Sequence, residues 1–451
     1  MNIAGRCLIG VVVAMALCLS LNAGNQRDSD ALGISVADAI RIARAENPEL
    51  AIIRAGKARA QAQELRARQG YLPTLVVDAS YVRLDSSLFA DIPFVDPSFP
   101  PSLIRRDFGP FEGQTAGVQV VQPLFNARAW NARKQAKRTV ETNRFALRRA
   151  EDEIALAVVE AYFGQRTAKR AVAAEKSGLR TAERVLEQAE RSLSEGLVPP
   201  VDVLRARTRV SEMKARVAMA EGRERIAREN LRRVLGMEAD KKIVLLDPIP
   251  EPPRDLPSVV PPLDFLSKRD DVRALRATIR AAEYGTRRAR AAYLPEINLL
   301  GRYQWFESRG PLGLDEDGWL LGISLKWTPF AGYSQAGELA EARALERGAR
   351  EELRALRARA RAEAVEAHAL WRAELLGWEE AVNGVRHAEE ALRQSEGRYA
   401  EGLDDITTML RAQAEELGAR IREVGARFNA VVAAESYRLA VNADEDWRVE
   451  R

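Results

Sequence analysis

Residues 318–330 read GWLLGISLKWTPF, and two interleaved series run through them. Trp319, Leu321, Ile323, Leu325 and Trp327 are all apolar, whereas Leu320, Gly322, Ser324 and Lys326 are mostly small or polar. A period of two is the signature of a β-strand whose faces meet different surroundings. Trp319 and Trp327 are eight residues apart, which at ~3.3 Å per residue is about 26 Å. That span matches the apolar band of an outer-membrane barrel strand, which is edged by aromatic side chains at both ends.

Three further stretches carry the same period. Leu75, Val77, Ala79 and Tyr81 alternate with Thr74, Val76, Asp78 and Ser80; Ala116, Val118 and Val120 alternate with Gly117 and Gln119. Ile297, Leu299, Gly301, Tyr303 and Trp305 alternate with Glu296, Asn298, Leu300, Arg302 and Gln304. In hydrocarbon each unpaired backbone group costs several kcal/mol, so a membrane sheet leaves no edge open. Four strands fall short of the roughly eight in the smallest barrels. The expectation is a barrel assembled from several copies of the chain.

The rest of the sequence has the composition of long helices. Arg, Ala, Glu and Leu dominate residues 126–235 and 335–442. Charged residues make up 30% of the chain, 69 basic against 65 acidic, with the signs interspersed. This pattern reads as solvated helix faces, and without a basic run there is no nucleic-acid arm. At the N-terminus, Arg6, the apolar run Leu8 to Leu21 and the small residues around Ala23 read as an export signal over residues 1–23. Cys7 and Cys18 both lie within it, and bulky Leu17 argues against lipidation at Cys18. The segment that follows has no cysteine for disulfides or thiolate metal sites.

The sequence also repeats. Tyr71-Leu72-Pro73 recurs as Tyr293-Leu294-Pro295, and Gln122-Pro123-Leu124-Phe125 as Trp327-Thr328-Pro329-Phe330. Glu195-Gly196-Leu197 and Leu204-Arg205-Ala206 recur as Glu401-Gly402-Leu403 and Leu410-Arg411-Ala412, at a constant offset of 206. Ordered landmarks of this kind mark a duplicated unit. Residues 24–236 form the first repeat and 263–442 the second, each reading helix, two strands, long helical hairpin. A Pro-rich connector spans 237–262 and a tail 443–451. Around each Glu-Gly-Leu turn the apolar residues follow 3-4 spacing, as in Leu179, Ala182, Leu186, Ala189 and Leu193, which predicts antiparallel coiled-coil hairpins. An unbroken helix from Asn126 to Leu193 has 68 residues, about 100 Å at ~1.5 Å each.

Little here suggests an enzyme or a cofactor. His368 and His387 are nineteen residues apart on one expected helix, more than five turns, and no phosphate loop or metal-ligand spacing is present.

The signal, the duplicated Tyr-Leu-Pro, the Pro-Leu-Phe and Pro-Phe strand ends and the two Gly-Leu turns resemble the TolC-like outer membrane efflux proteins, also called outer membrane factors, over about residues 34–443. The resemblance implies a mixed fold, an all-α coiled-coil barrel joined to a membrane β-barrel. Each protomer would give four strands to a twelve-stranded barrel in a homotrimer. It implies an outer membrane location with a periplasmic helical extension, docked to a periplasmic adaptor protein and an inner-membrane transporter. By the same resemblance, Glu195, Gly196, Leu197, Glu401, Gly402 and Leu403 are adaptor-contact candidates, although each glycine serves equally well simply to make its turn. Asp202 matches an acidic gate position, while Thr408, Asp404 and Arg411 depart from the family pattern, and Arg205 and Arg411 are candidate partners of Asp202. Asp202 is equally readable as an ordinary first-turn helix residue after Pro199 and Pro200. Trp319, Leu321, Ile323, Leu325 and Trp327 are expected to face lipid. The competing expectation is a periplasmic coiled-coil adaptor or scaffold, which leaves the four amphipathic strands without a use.

Overall fold

The computed structural model describes residues 32–84, 88–94, 102–108, 111–238, 243–255, 264–309, 315–401 and 403–442. The export signal, Gly402, the 443–451 tail and parts of the Pro-rich connector lie outside the described residues.

The chain opens with β1 (Leu32–Ile34), α1 (Val36–Glu46) and α2 (Pro48–Ala67). Next come β2 (Thr74–Leu84), β3 (Leu88–Phe94), β4 (Ser102–Phe108) and β5 (Phe111–Phe125), then α3 (Ala127–Ser194) and α4 (Pro200–Leu235). After β6 (Ile243–Leu245) and α5 (Phe265–Lys268) the plan recurs as α6 (Asp270–Ala291), β7 (Glu296–Arg309), β8 (Asp315–Lys326), α7 (Ser334–Ala400) and α8 (Ile406–Val441). α3 has 68 residues and α7 has 67, so each is a rod of about 100 Å. α4 and α8, 36 residues each, start at residues 200 and 406, the offset of 206 again.

In each repeat the two shorter helices meet end to end along the long one. Asn47 joins the first pair: its Nδ2 donates to the Val234 carbonyl at 2.8 Å, while its Oδ1 accepts the Glu49 N–H at 2.8 Å and so caps α2. Gly236 ends α4 at φ +71, and a Cβ there would lie 2.5 Å from the Glu46 carbonyl oxygen, so the close approach requires glycine. The second repeat uses different chemistry at the same place. Arg269, 1% exposed, donates to the Ala440 carbonyl at 2.9 Å and to Asp271 and Glu363 at 2.7 and 2.8 Å. A buried guanidinium is tolerable because its donors are used by carboxylates and a backbone oxygen. Burial pushes the Asp271 carboxyl up, but the Arg269 hydrogen bond and charge outweigh it, and the group is held below the ordinary carboxylate value.

The largest core cluster lies beside the α4–α2 junction. Tyr162 of α3, fully buried, donates to the Ile34 carbonyl at 2.9 Å and accepts the Asp247 N–H at 3.0 Å, fastening the parallel pair β1–β6 to the helices. Nearer the hairpin tips, Ala182, Val210, Met213 and Leu417 form one seam cluster and Ala189, Val203, Ala206, Ile406 and Met409 another. Both draw on the two hairpins together.

One sheet has four antiparallel strands in the order β2-β5-β7-β8. The expectation that strands are confined to these four is corrected. β1–β6 is a parallel pair of three-residue strands, and β3–β4 is an antiparallel hairpin between β2 and β5, in a stretch whose prolines, among them Pro93 and Pro97, give it the look of a loop in the sequence. Three residues are too few to show a period, and the prolines of the β3–β4 segment masked its strands in the sequence pattern.

Candidate functional site

Register in an antiparallel sheet puts directly paired residues on the same side. Val77, Val118, Tyr303 and Trp319 form one cross-strand row, and Leu75, Val120, Gly301 and Leu321 the next. Leu299–Ile323 and Ile297–Leu325 continue that face toward the helices. Within the protomer it is bare: Trp319 is 78% exposed, Ile323 71% and Trp327 58%. Aromatic groups edge it at both ends. Tyr303 donates to Asp317 at 2.7 Å at one end, and the Trp327 indole N–H donates to the Tyr293 carbonyl at 3.1 Å at the other. An exposed apolar face of this extent marks a contact surface for lipid or protein.

The opposite face is polar. Arg302 of β7 reaches across β5 to Asp78 of β2 at 3.1 Å, passing over Gly117, whose missing side chain leaves room for the guanidinium. The Ser80 and Thr115 hydroxyls lie 2.7 Å apart on the same side. β2 and β8 are the edges, and their outer backbone groups have no strand partner among the described residues.

Some 100 Å away along the helices are the hairpin tips. α3 ends at Ser194 with Glu195 as its cap; the Gly196 N–H then donates to the Leu193 carbonyl at 3.0 Å and the Leu197 N–H to the Ser192 carbonyl at 2.9 Å. Gly196 has φ +75, so this is a Schellman turn that requires a left-handed residue. The Leu403 N–H donates to the Arg398 carbonyl at 2.8 Å, the equivalent bond at the second tip. Leu197 is 72% exposed and Leu403 62% exposed. Glu195 and Glu401 are exposed beside them.

The acidic residues beside the tips have separate partners. Asp202 pairs with Arg205 at 3.4 Å, and its carboxylate is largely covered, 13% exposed. Arg411 is exposed and makes no ion pair with Asp202 or any other described residue, which corrects its expected partnership. Asp404 accepts both ends of the Arg398 fork, at 2.8 and 3.1 Å, and this hydrogen bond holds its carboxyl below the ordinary value. Asp405 caps α8, accepting the Thr408 N–H at 2.9 Å and hydroxyl at 2.8 Å; these bonds likewise lower its carboxyl. Thr408 is thus tied to the cap. Tyr399, held protonated by burial and by the nearby Asp202 charge, connects the two tips. Sequence reasoning missed Arg398 and Asp405 and placed Tyr399 only as a position of the hairpin seam. The Asp405-x-x-Thr408 spacing before an apolar run was the available signal for the cap, whereas Arg398 meets Asp404 only because the turn folds back on the helix.

Against known proteins, the family model described as outer membrane efflux protein matches residues 39–237 and 262–443. The fusaric acid resistance protein FusA of Burkholderia cepacia is 26% identical over 326 residues, a match that covers 69% of this chain and 58% of that protein. The outer-membrane channel OprN superposes with a TM-score of 0.74 at 20% identity, over 92% of this chain and 90% of that one. The Campylobacter jejuni CmeC outer membrane channel superposes with a TM-score of 0.77 at 16% identity, over 90% and 85% of the two chains. With the family model spanning both repeats, the chain belongs to the outer membrane efflux protein family.

Proposed function

We propose that the protein is the outer membrane exit duct of a tripartite efflux or type I secretion system. In this reading it is a homotrimer whose copies share one twelve-stranded barrel. Its helices form a periplasmic tunnel, and a periplasmic adaptor and an inner-membrane transporter feed it from below. The observation that carries this reading is the four-stranded sheet, with two edges unpaired among the described residues and a bare apolar face banded by aromatics, mounted on rods of about 100 Å. Such a sheet is stable in a bilayer only if neighbouring copies close its edges. The family match and the relative named for fusaric acid resistance support efflux as the duty of the duct. The tips, with Leu197 and Leu403 bare beside tight turns, are the adaptor-contact surface in this reading. Asp202, Arg205, Asp404 and Thr408 belong to the periplasmic gate in this reading, and Arg411 stands at it with no ion pair among the described residues.

The test is the oligomeric mass of the full chain extracted from membranes, measured by light scattering. A detergent-dependent trimer is expected. Release as a soluble monomer or dimer without detergent overturns the duct and favours a periplasmic scaffold.

A further inference from the structure

Arginines on α7 recur at intervals of four and three, including Arg343, Arg347, Arg354 and Arg361, which places them on one helix face over about 27 Å. Where this stripe nears the sheet it borders an open cleft of about 600 Å³ between α6 and α7, lined by Thr286, Arg290, Ala340, Arg343, Glu346 and Arg347. The one carboxylate there is already engaged, accepting the buried Thr286 hydroxyl at 2.7 Å and Arg350 at 2.6 Å. Arg290, Arg343 and Arg347 are exposed and make no ion pair among the described residues. Three guanidinium groups therefore line one cleft whose single carboxylate, Glu346, is engaged by Thr286 and Arg350, an arrangement suited to a multidentate oxyanion.

The repeat shows which way the cleft faces. On α3, Trp130 meets Phe125 edge to face at 5.2 Å, and Phe125 pairs with Ile297 on the apolar side of the sheet. At the offset of 206, the α7 counterpart of Trp130 is Ala336. Arg343, Arg347 and Arg354 follow it by seven, eleven and eighteen residues, within about 20° of whole turns. They thus lie on the face that continues the apolar side of the sheet. Arg290 is three residues before Tyr293, whose carbonyl holds the Trp327 indole at 3.1 Å. Arg343 is nine residues into α7, about 14 Å from its start.

We propose that this cleft binds the phosphate of an anionic phospholipid at the periplasmic edge of the membrane, with Arg290, Arg343 and Arg347 as its ligands. Basic groups beside a membrane-spanning segment are natural headgroup partners. The proposal rests on the sheet being a membrane barrel. Inorganic phosphate offers the same oxygens, so the two sources have to be separated by experiment.

The full chain is purified in detergent and its oligomeric mass checked by light scattering, so that failure of the barrel reading shows before any lipid is added. Binding of phosphatidylglycerol and phosphatidylethanolamine is then measured by native mass spectrometry, with inorganic phosphate as competitor. The expected result is preference for phosphatidylglycerol, weakened about fivefold for each arginine removed in the R290Q/R343Q/R347Q variant and not displaced by inorganic phosphate. The control R357Q/R359Q/R361Q removes equal charge farther along α7 and is expected to bind like the parent. Equal weakening by the control, or no preference between the lipids, overturns the site. Displacement by inorganic phosphate overturns the lipid as its occupant. Light scattering of both variants ensures that loss of binding is not loss of assembly.

Discussion

Gly236 combines a left-handed backbone with contact against the Glu46 carbonyl, so substitution there meets two costs at once. Gly236→Ala is expected to lose about 1–2 kcal/mol from the backbone conformation alone, and more from separating α4 from α2. A lowered thermal midpoint in detergent is the readout, with Gly222→Ala as comparison, because Gly222 lies inside α4 with no atom near its added Cβ. At the tip, Asp404 and Asp405 both titrate below the ordinary carboxylate value, Asp404 through Arg398 and Asp405 through the Thr408 N–H. A depressed folded-state value means stability that is present above the unfolded value and lost as pH falls through the folded one. The α7–α8 turn is therefore expected to be indifferent to pH between 5 and 8 and to loosen only below about 4. A spin label at Leu403 that becomes mobile already at pH 6 would contradict this. Asp405→Ala is expected to remove about 1 kcal/mol of cap stability at neutral pH, seen as greater mobility of the same label.

The four strands of the main sheet were legible because each obeys a period of two for long enough to be counted, unlike β1, β3, β4 and β6, and the register then places Trp319, Leu321, Ile323 and Leu325 in rows with β7. If this row faces lipid as proposed, Ile323→Lys near the bilayer centre is expected to cost roughly 2–4 kcal/mol per copy. Ser324→Lys, on the side of Asn298 and the Arg302–Asp78 pair, is expected to be tolerated. Urea melts of the protein refolded into detergent compare the two, and equal losses would remove the lipid-facing assignment. The hairpin helices were legible for a similar reason, since Ala182, Ala189, Val203 and Val210 at seam positions are buried. The junction of α6 with α8 was not. Arg269 sits in an ordinary-looking charged run, and its burial depends on Glu363 and Ala440, residues 94 and 171 positions away, which no local pattern encodes. The surroundings of the hairpin tips were half legible: Asp202 and Asp404 could be located, but Arg205, Arg398 and Arg411 compete for them equally in sequence, and only the turn geometry allots Arg205 to Asp202 and Arg398 to Asp404.

For the whole molecule, the decisive feature is the distance between the two open edges. β2 and β8 are separated by β5 and β7, three strand spacings of ~4.8 Å or about 14 Å. A disulfide needs Cα atoms closer than about 7 Å, so cysteines placed on β2 and β8 cannot bridge within one protomer's sheet. The only native cysteines are Cys7 and Cys18, both in the expected export signal, which leaves a clean background. Val77→Cys combined in turn with Trp319→Cys, Leu321→Cys, Ile323→Cys and Leu325→Cys scans the register between copies. If three protomers close one barrel, at least one combination oxidised in membranes is expected to give a covalent ladder on non-reducing gels that stops at three chains. A ladder that continues past three would mean an open, non-closing assembly, since head-to-tail contacts either close by rotation or propagate. Monomer from every combination would mean that the two edges never meet, and that the sheet is completed by something other than its own copies.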